Sequence, residues 1–179
     1  LHPEKTRLIE FGRFAEQNRK DRGQGPPETC DFLGFTHICG RTGDGQFQVR
    51  RRTSAKRMRA RLATIKVALR QRMHEPMRDT GKWLRSVLTG YFRYHGIPGN
   101  MPMLALFRYR VERLWRETLR RRGRRRPLAW AKLYALSARW LPVPRVVHPN
   151  PAQRFKVKHP RWEPYAGKLL VRICPGGAS

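Results

Sequence analysis

The chain has 179 residues, in which 40 Lys and Arg oppose 12 Asp and Glu for a formal net charge of +28 and a pI near 11.7. So much like charge repels itself in a compact fold, and a polyanion is the natural counterweight, which puts nucleic acid first among partner classes. A membrane surface fits less well, because the cations are spread along the chain instead of flanking an apolar stretch, and the longest apolar stretches fall far short of the ~20 residues a span needs.

Of the 40 cations 31 are Arg, the side chain suited to bidentate phosphate contacts and to stacking on bases. The hydrophobic fraction of 39% is below the globular average, so part of the chain is expected to be extended or partner-dependent. Cys30, Cys39 and Cys174 are odd in number and lack Cys-x-x-Cys spacing, which argues against a disulfide framework and against a zinc site. With no charged start followed by an apolar run, the cytoplasm is the expected compartment. The chain opens without Met, at Leu1-His2-Pro3-Glu4-Lys5-Thr6, and reads as a fragment of something longer.

Residues 1–52 read as β-rich. Thr6 to Glu10 alternates weakly, and Phe32, Leu33, Phe35 and Ile38 make a short apolar strand. Between them Gly23-Gln24-Gly25-Pro26-Pro27 is a loop. Asp44-Gly45 is a tight-turn signal ahead of Phe47-Gln48-Val49-Arg50, which predicts a closing β-hairpin.

From residue 53 to 141 the period becomes helical. Ser54 is placed to cap a helix with apolar Met58, Leu62, Ile65, Leu69 and Met73, while Arg57, Arg59, Arg61, Lys66, Arg70 and Arg72 lie largely elsewhere and make a basic outer surface. Glu75-Pro76 disfavours continuation. A second helix is expected from Asp79 or Thr80, burying Trp83, Leu84, Val87, Leu88, Tyr91 and Phe92. Asn100 suits the cap of a third, with Met103, Leu104, Phe107, Val111, Leu114 and Trp115 inward. A shorter fourth begins at Pro127 and turns Trp130, Leu133, Tyr134 and Leu136 inward. Residues 142–179 are interrupted by prolines and read as an extended tail, with short strands at 154–158 and 169–173. The fold class is therefore mainly α: a three- to four-helix bundle behind a small β-hairpin.

Catalytic groups are scarce. Two-metal nucleotidyl transfer needs converging carboxylates, whereas Asp21, Asp31, Asp44 and Asp79 are scattered over predicted loops, caps and strand edges. His2, His37, His74, His95, His148 and His159 have no metal-ligand spacing and read as surface or RNA-contacting imidazoles. No cofactor or metal is therefore expected. Tyr91-Phe92-Arg93-Tyr94-His95 interleaves aromatic and basic groups, so that one side can pack inside while Arg93, Tyr94 or His95 faces RNA. Arg120-Arg121-Arg122-Gly123-Arg124-Arg125-Arg126 reads equally as a disordered basic linker and as an RNA contact.

Leu1 to Ile9 followed by Cys30-Asp31-Phe32-Leu33-Gly34-Phe35 resembles the last palm motifs of group II intron reverse transcriptases. Trp83-Leu84, then Gly90-Tyr91-Phe92-Arg93-Tyr94-His95-Gly96-Ile97-Pro98-Gly99-Asn100 and the Leu114-Trp115 helix are similar to the maturase-specific domain, also called the X or thumb domain. The tail from Glu163 to Gly167 and on through Arg172 to Gly177 is similar to the ends of bacterial members without an endonuclease module. The resemblance covers nearly the whole chain. It implies an intron-encoded protein that binds its own intron RNA, assists its splicing and reverse-transcribes during mobility. The Tyr-x-Asp-Asp strand has no counterpart here, so Mg²⁺ and polymerase activity would belong to a missing amino-terminal half, itself a possible partner.

On this reading Phe32, Leu33, Gly34 and Phe35 form a remnant primer grip. RNA contacts are expected from Lys5 and from the Arg50, Arg51 and Arg52 run. On the first helix they are expected from Arg57, Arg59, Arg61, Lys66 and Arg70, and on the second from Lys82, Arg85, Arg93, Tyr94 and His95. Asn100, Arg108, Arg120, Arg121, Arg122, Arg124, Arg125 and Arg126 complete the set. Two alternatives are a piece of a split RNA-directed DNA polymerase and a non-functional remnant of a decayed intron frame. A generic basic packaging or ribosome-associated protein explains the charge but not the motif order.

Overall fold

The structure is a computed structural model and describes residues 8–122 and 130–149. Among these, helix accounts for 56%, in the order α1 (Ala15–Asp21), β1 (Cys30–Phe32), β2 (Phe35–Arg41), β3 (Phe47–Thr53), α2 (Ala55–Gln71), α3 (Met77–His95), α4 (Met101–Arg122) and α5 (Trp130–Trp140). The chain is mainly α, as the periodicity predicts. Lys5, Arg124, Arg125 and Arg126, the Pro127 helix start, and the strands expected at 154–158 and 169–173 lie outside the described residues, as do the side chains of Trp130 and Leu133.

The amino-terminal segment departs from the β-rich expectation. No strand forms over residues 8–10, and α1 follows instead. Its seven residues bury only Ala15, so they carry no apolar period to read. Glu16 in its first turn and Arg19 and Lys20 in its last suit the helix dipole.

The three strands form one antiparallel sheet in the order β1-β2-β3. The expected apolar strand through Phe32 to Ile38 is broken in two: Phe32 pairs with Phe35, leaving Leu33 and Gly34 as a two-residue turn with φ of 48° and 80°. Positive φ at both positions is the turn geometry that matches strand twist. The second hairpin closes where the Asp-Gly signal places it, with Arg41 opposite Phe47.

Three helices enclose the core. Met58, Ile65 and Leu69 of α2, Leu84, Leu88, Tyr91 and Phe92 of α3, and Leu104, Phe107, Val111 and Trp115 of α4 are buried together with Leu141. Tyr91 and Phe107 stack with centroids 3.5 Å apart. α2 packs chiefly on α4, and α3 packs on α4 and α5. Several expectations change here. Trp83 and Val87 are only partly buried, and Tyr134 is 61% exposed, turned away from the core. α3 begins at Met77, with Pro76 in the cap position. Gly81 accounts for the close approach of α5 to α3, since a Cβ there would lie 2.6 Å from the Trp140 ring.

Ser54 occupies the cap position of α2 but makes no side-chain cap; its hydroxyl donates instead to Asp31 Oδ2 at 3.1 Å. Asn100 likewise starts α4 through its carbonyl, which accepts from Met103 and Leu104 N–H. Its side chain faces the sheet. Residues 142–149 form no regular element, and the Val147 and His148 amides donate to Gly96 O at 2.8 and 3.0 Å.

Candidate nucleic-acid interface

α2 carries Lys56, Arg57, Arg59, Arg61, Lys66 and Arg70 and no acid. The carboxylates that form ion pairs take other cations: Glu28 pairs with Arg19, Glu10 with Arg22, Glu16 with Arg41, Glu75 with Arg72 and Glu112 with Arg108. Among the described residues no carboxylate pairs with the α2 cations. Exposed ion pairs contribute little to stability, so their importance here is in deciding which guanidinium groups stay available.

These cations do not share one surface. At roughly 100° per residue, the nine steps from Arg57 to Lys66 make about two and a half turns, which sets Lys66 about half a turn round the helix from Arg57. Arg57 and Arg61 line a groove against α3 with Ala60, Thr64, Gly90, Tyr91, Tyr94 and His95, roughly 400 Å³ in volume. Arg70 lies at the far end of the helix, where it borders a cleft of roughly 850 Å³ with Met73, Arg120 and Arg121 of α4. The single face expected for Arg57, Arg61 and Lys66 is therefore corrected to two basic flanks. A linear count of cations does not separate sides half a turn apart.

Other expected contact residues are placed as follows. Arg50, Arg52, Arg59, Lys82, Arg93 and Arg122 are exposed, and Arg51 is half-buried. Arg50 packs against Gly40 and donates to Arg41 O at 2.6 Å. Arg122 donates to Glu75 O at 2.8 Å. Arg85 donates to the Arg139 and Trp140 carbonyls, so it closes the carboxyl-terminal end of α5, where free carbonyls favour a cation. Arg108 is turned inward beside Glu112, with its Nε buried and unpartnered.

Two expected contact residues are corrected by burial. Asn100 is fully buried and commits its side chain to three bonds: it accepts from Thr53 N–H at 3.0 Å and donates to Thr53 Oγ1 and His95 O, each at 2.8 Å. A side chain so buried, with both amide hydrogens committed, is out of reach of RNA. His95 is also buried, packed among the rings of Phe35, Tyr91 and Tyr94, and burial pushes its imidazole down to about 4. It is neutral at neutral pH and offers no charge to a phosphate. Burial also raises the Tyr91 phenol to about 12. That hydroxyl is buried and has no hydrogen bond of good geometry.

Tyr94, by contrast, is 53% exposed. One ring face stacks on Phe35, with centroids 5.8 Å apart, and the hydroxyl donates to Leu33 O at 2.7 Å. The turn expected to act as a primer grip is thus attached to α3 through Tyr94 and to α2 through the Ser54 amide, which donates to Gly34 O at 2.9 Å. Phe32 and Leu33 at its tip are 60% and 67% exposed.

Among the described residues no three His, Cys, Asp or Glu side chains come together as a metal site. Asp31 is occupied by Thr36 and Ser54. No described helix is long and apolar enough to cross a membrane. Comparison with family models, with curated proteins and with solved structures returns no match.

Proposed function

We propose that this chain is an RNA-binding module of the maturase type, holding folded group II intron RNA and assisting its splicing without polymerase chemistry of its own. The observation that carries the reading is α2: six cations, no acid and no carboxylate partner among the described residues, on a helix whose apolar side is locked into the core. Leaving so much like charge uncompensated destabilises the free protein and favours a polyanion-bound one.

The motif order supports the more specific assignment. The Phe32 to Phe35 turn precedes the Gly90 to Asn100 stretch and then the Trp115 helix; on this reading α2, α3 and α4 would correspond to a thumb and the three-stranded sheet to the end of a palm. In this reading the basic flanks of α2 and the arginines of α4 grip phosphates, and the turn is what remains of a primer grip.

The test is binding of the full chain to a structured group II intron RNA and to an unrelated folded RNA of equal length, measured across a salt series. Preference for the intron that persists at physiological salt is the expected result. Equal affinity for both would leave a generic polyanion binder and reject the maturase assignment.

A further inference from the structure

Gly90 lies in the interior of α3, where glycine is among the poorest helix formers, and no packing contact requires it: a Cβ built there meets nothing within 4 Å. What its missing side chain does is widen the α2–α3 groove, whose other wall is Arg57, Ala60 and Arg61. Beside it stands Tyr94, half exposed but anchored at two points, its ring lying on Phe35 and its hydroxyl donating to Leu33 O. Two guanidinium groups without carboxylate partners, an anchored aromatic ring and an opening of roughly 400 Å³ are the elements that hold a splayed-out nucleotide, phosphate on cation and base on ring.

We propose that this groove takes one unpaired nucleotide of the bound RNA, with its phosphate on Arg57 and Arg61, its base against Tyr94, and the space at Gly90 giving it room. The proposal rests on the RNA-binding reading above and deepens it. A nucleotide inside a duplex keeps its base stacked and paired, so the groove selects single-stranded RNA or a bulged position. Binding at the Arg70, Arg120 and Arg121 cleft carries no such requirement.

The experiment measures fluorescence anisotropy of the full chain with a short oligouridylate and with a blunt RNA duplex of equal length. Gly90→Leu fills the groove from α3, and Ala60→Leu fills it from α2. Both place a good helix former at an exposed helical position, so if one variant fails to fold the other decides. Each is expected to keep or raise the melting temperature, to weaken oligouridylate binding by about tenfold, as removal of one base stack does, and to leave duplex affinity within about twofold. A folded variant that binds oligouridylate as tightly as the unaltered chain overturns the proposal, as does an equal loss for both RNAs. If the unaltered chain binds neither RNA, the RNA-binding reading itself falls.

Discussion

Thr53 and Asn100 meet across 47 positions of sequence: the Asn100 side chain accepts from the Thr53 amide at 3.0 Å and donates to the Thr53 hydroxyl at 2.8 Å. The pair joins the end of β3 to the start of α4, and both residues are buried. Replacing Asn100 with Ala orphans the Thr53 N–H and frees His95 O from one donor. Unsatisfied buried groups cost about 1 to 3 kcal/mol each, so Asn100→Ala is expected to destabilise by about 2 to 4 kcal/mol, read from urea melts. A loss below about 0.5 kcal/mol would mean that the junction is held by other contacts.

His95 gives a pH dependence of definite sign. The folded chain holds it neutral down to about 4, against 6.5 for a free imidazole. Between those values the unfolded chain binds the extra proton, so stability falls as pH drops through that window and is fully present above it. The loss is on the order of 3 kcal/mol by the bottom of the window. Thermal melts between neutral pH and pH 4 should show this decline, and His95→Gln should flatten it. A parallel decline in the variant would assign the effect to other groups.

Trp115 of α4 and Trp83 of α3 should behave differently. Trp115 is fully buried, and Trp115→Ala is expected to cost about 3 to 5 kcal/mol. Trp83 is partly buried, with the Arg72 guanidinium 5.1 Å from its ring centroid, so Trp83→Ala should cost less, about 1 to 2 kcal/mol. Denaturant midpoints of the two variants compare them directly, and equal midpoints would contradict the burial difference.

The split of α2 into two flanks is testable by salt dependence. Replacing Arg57 and Arg61 with Ala should lower the slope of log affinity against log salt by about 1.5, and replacing Arg70 and Arg121 should do the same. Because the two pairs lie at different ends of the helix, the four-fold variant should be additive. Unchanged slopes in both pairs would take α2 off the RNA surface.

Much of the bundle is legible in the sequence because its apolar period is strong. Met58, Ile65 and Leu69, or Leu104, Phe107, Val111 and Trp115, repeat at helical spacing and are buried as that spacing demands. α1 is not legible, since a seven-residue helix with one buried residue has no period. Ser54 and Asn100 were readable as helix starts but not in their side-chain roles, because a hydrogen bond to Asp31 or Thr53 depends on a partner distant in sequence. The aromatic cluster divides for the same reason. Tyr94 and His95 are adjacent in the chain, yet one is half exposed and the other buried, because His95 is enclosed by Tyr91 on one side and by Phe35 from a distant strand.

Leucine at position 33 adopts a left-handed backbone, φ 48°, at the tip of a turn where Asn or Gly would be at ease. It also leaves two-thirds of its surface in water. Neither circumstance helps the isolated chain. Asparagine there would relieve both at once, so the fold forgoes a gain available from a single codon change. An exposed apolar side chain on a left-handed backbone is thus a local cost that the rest of the fold carries.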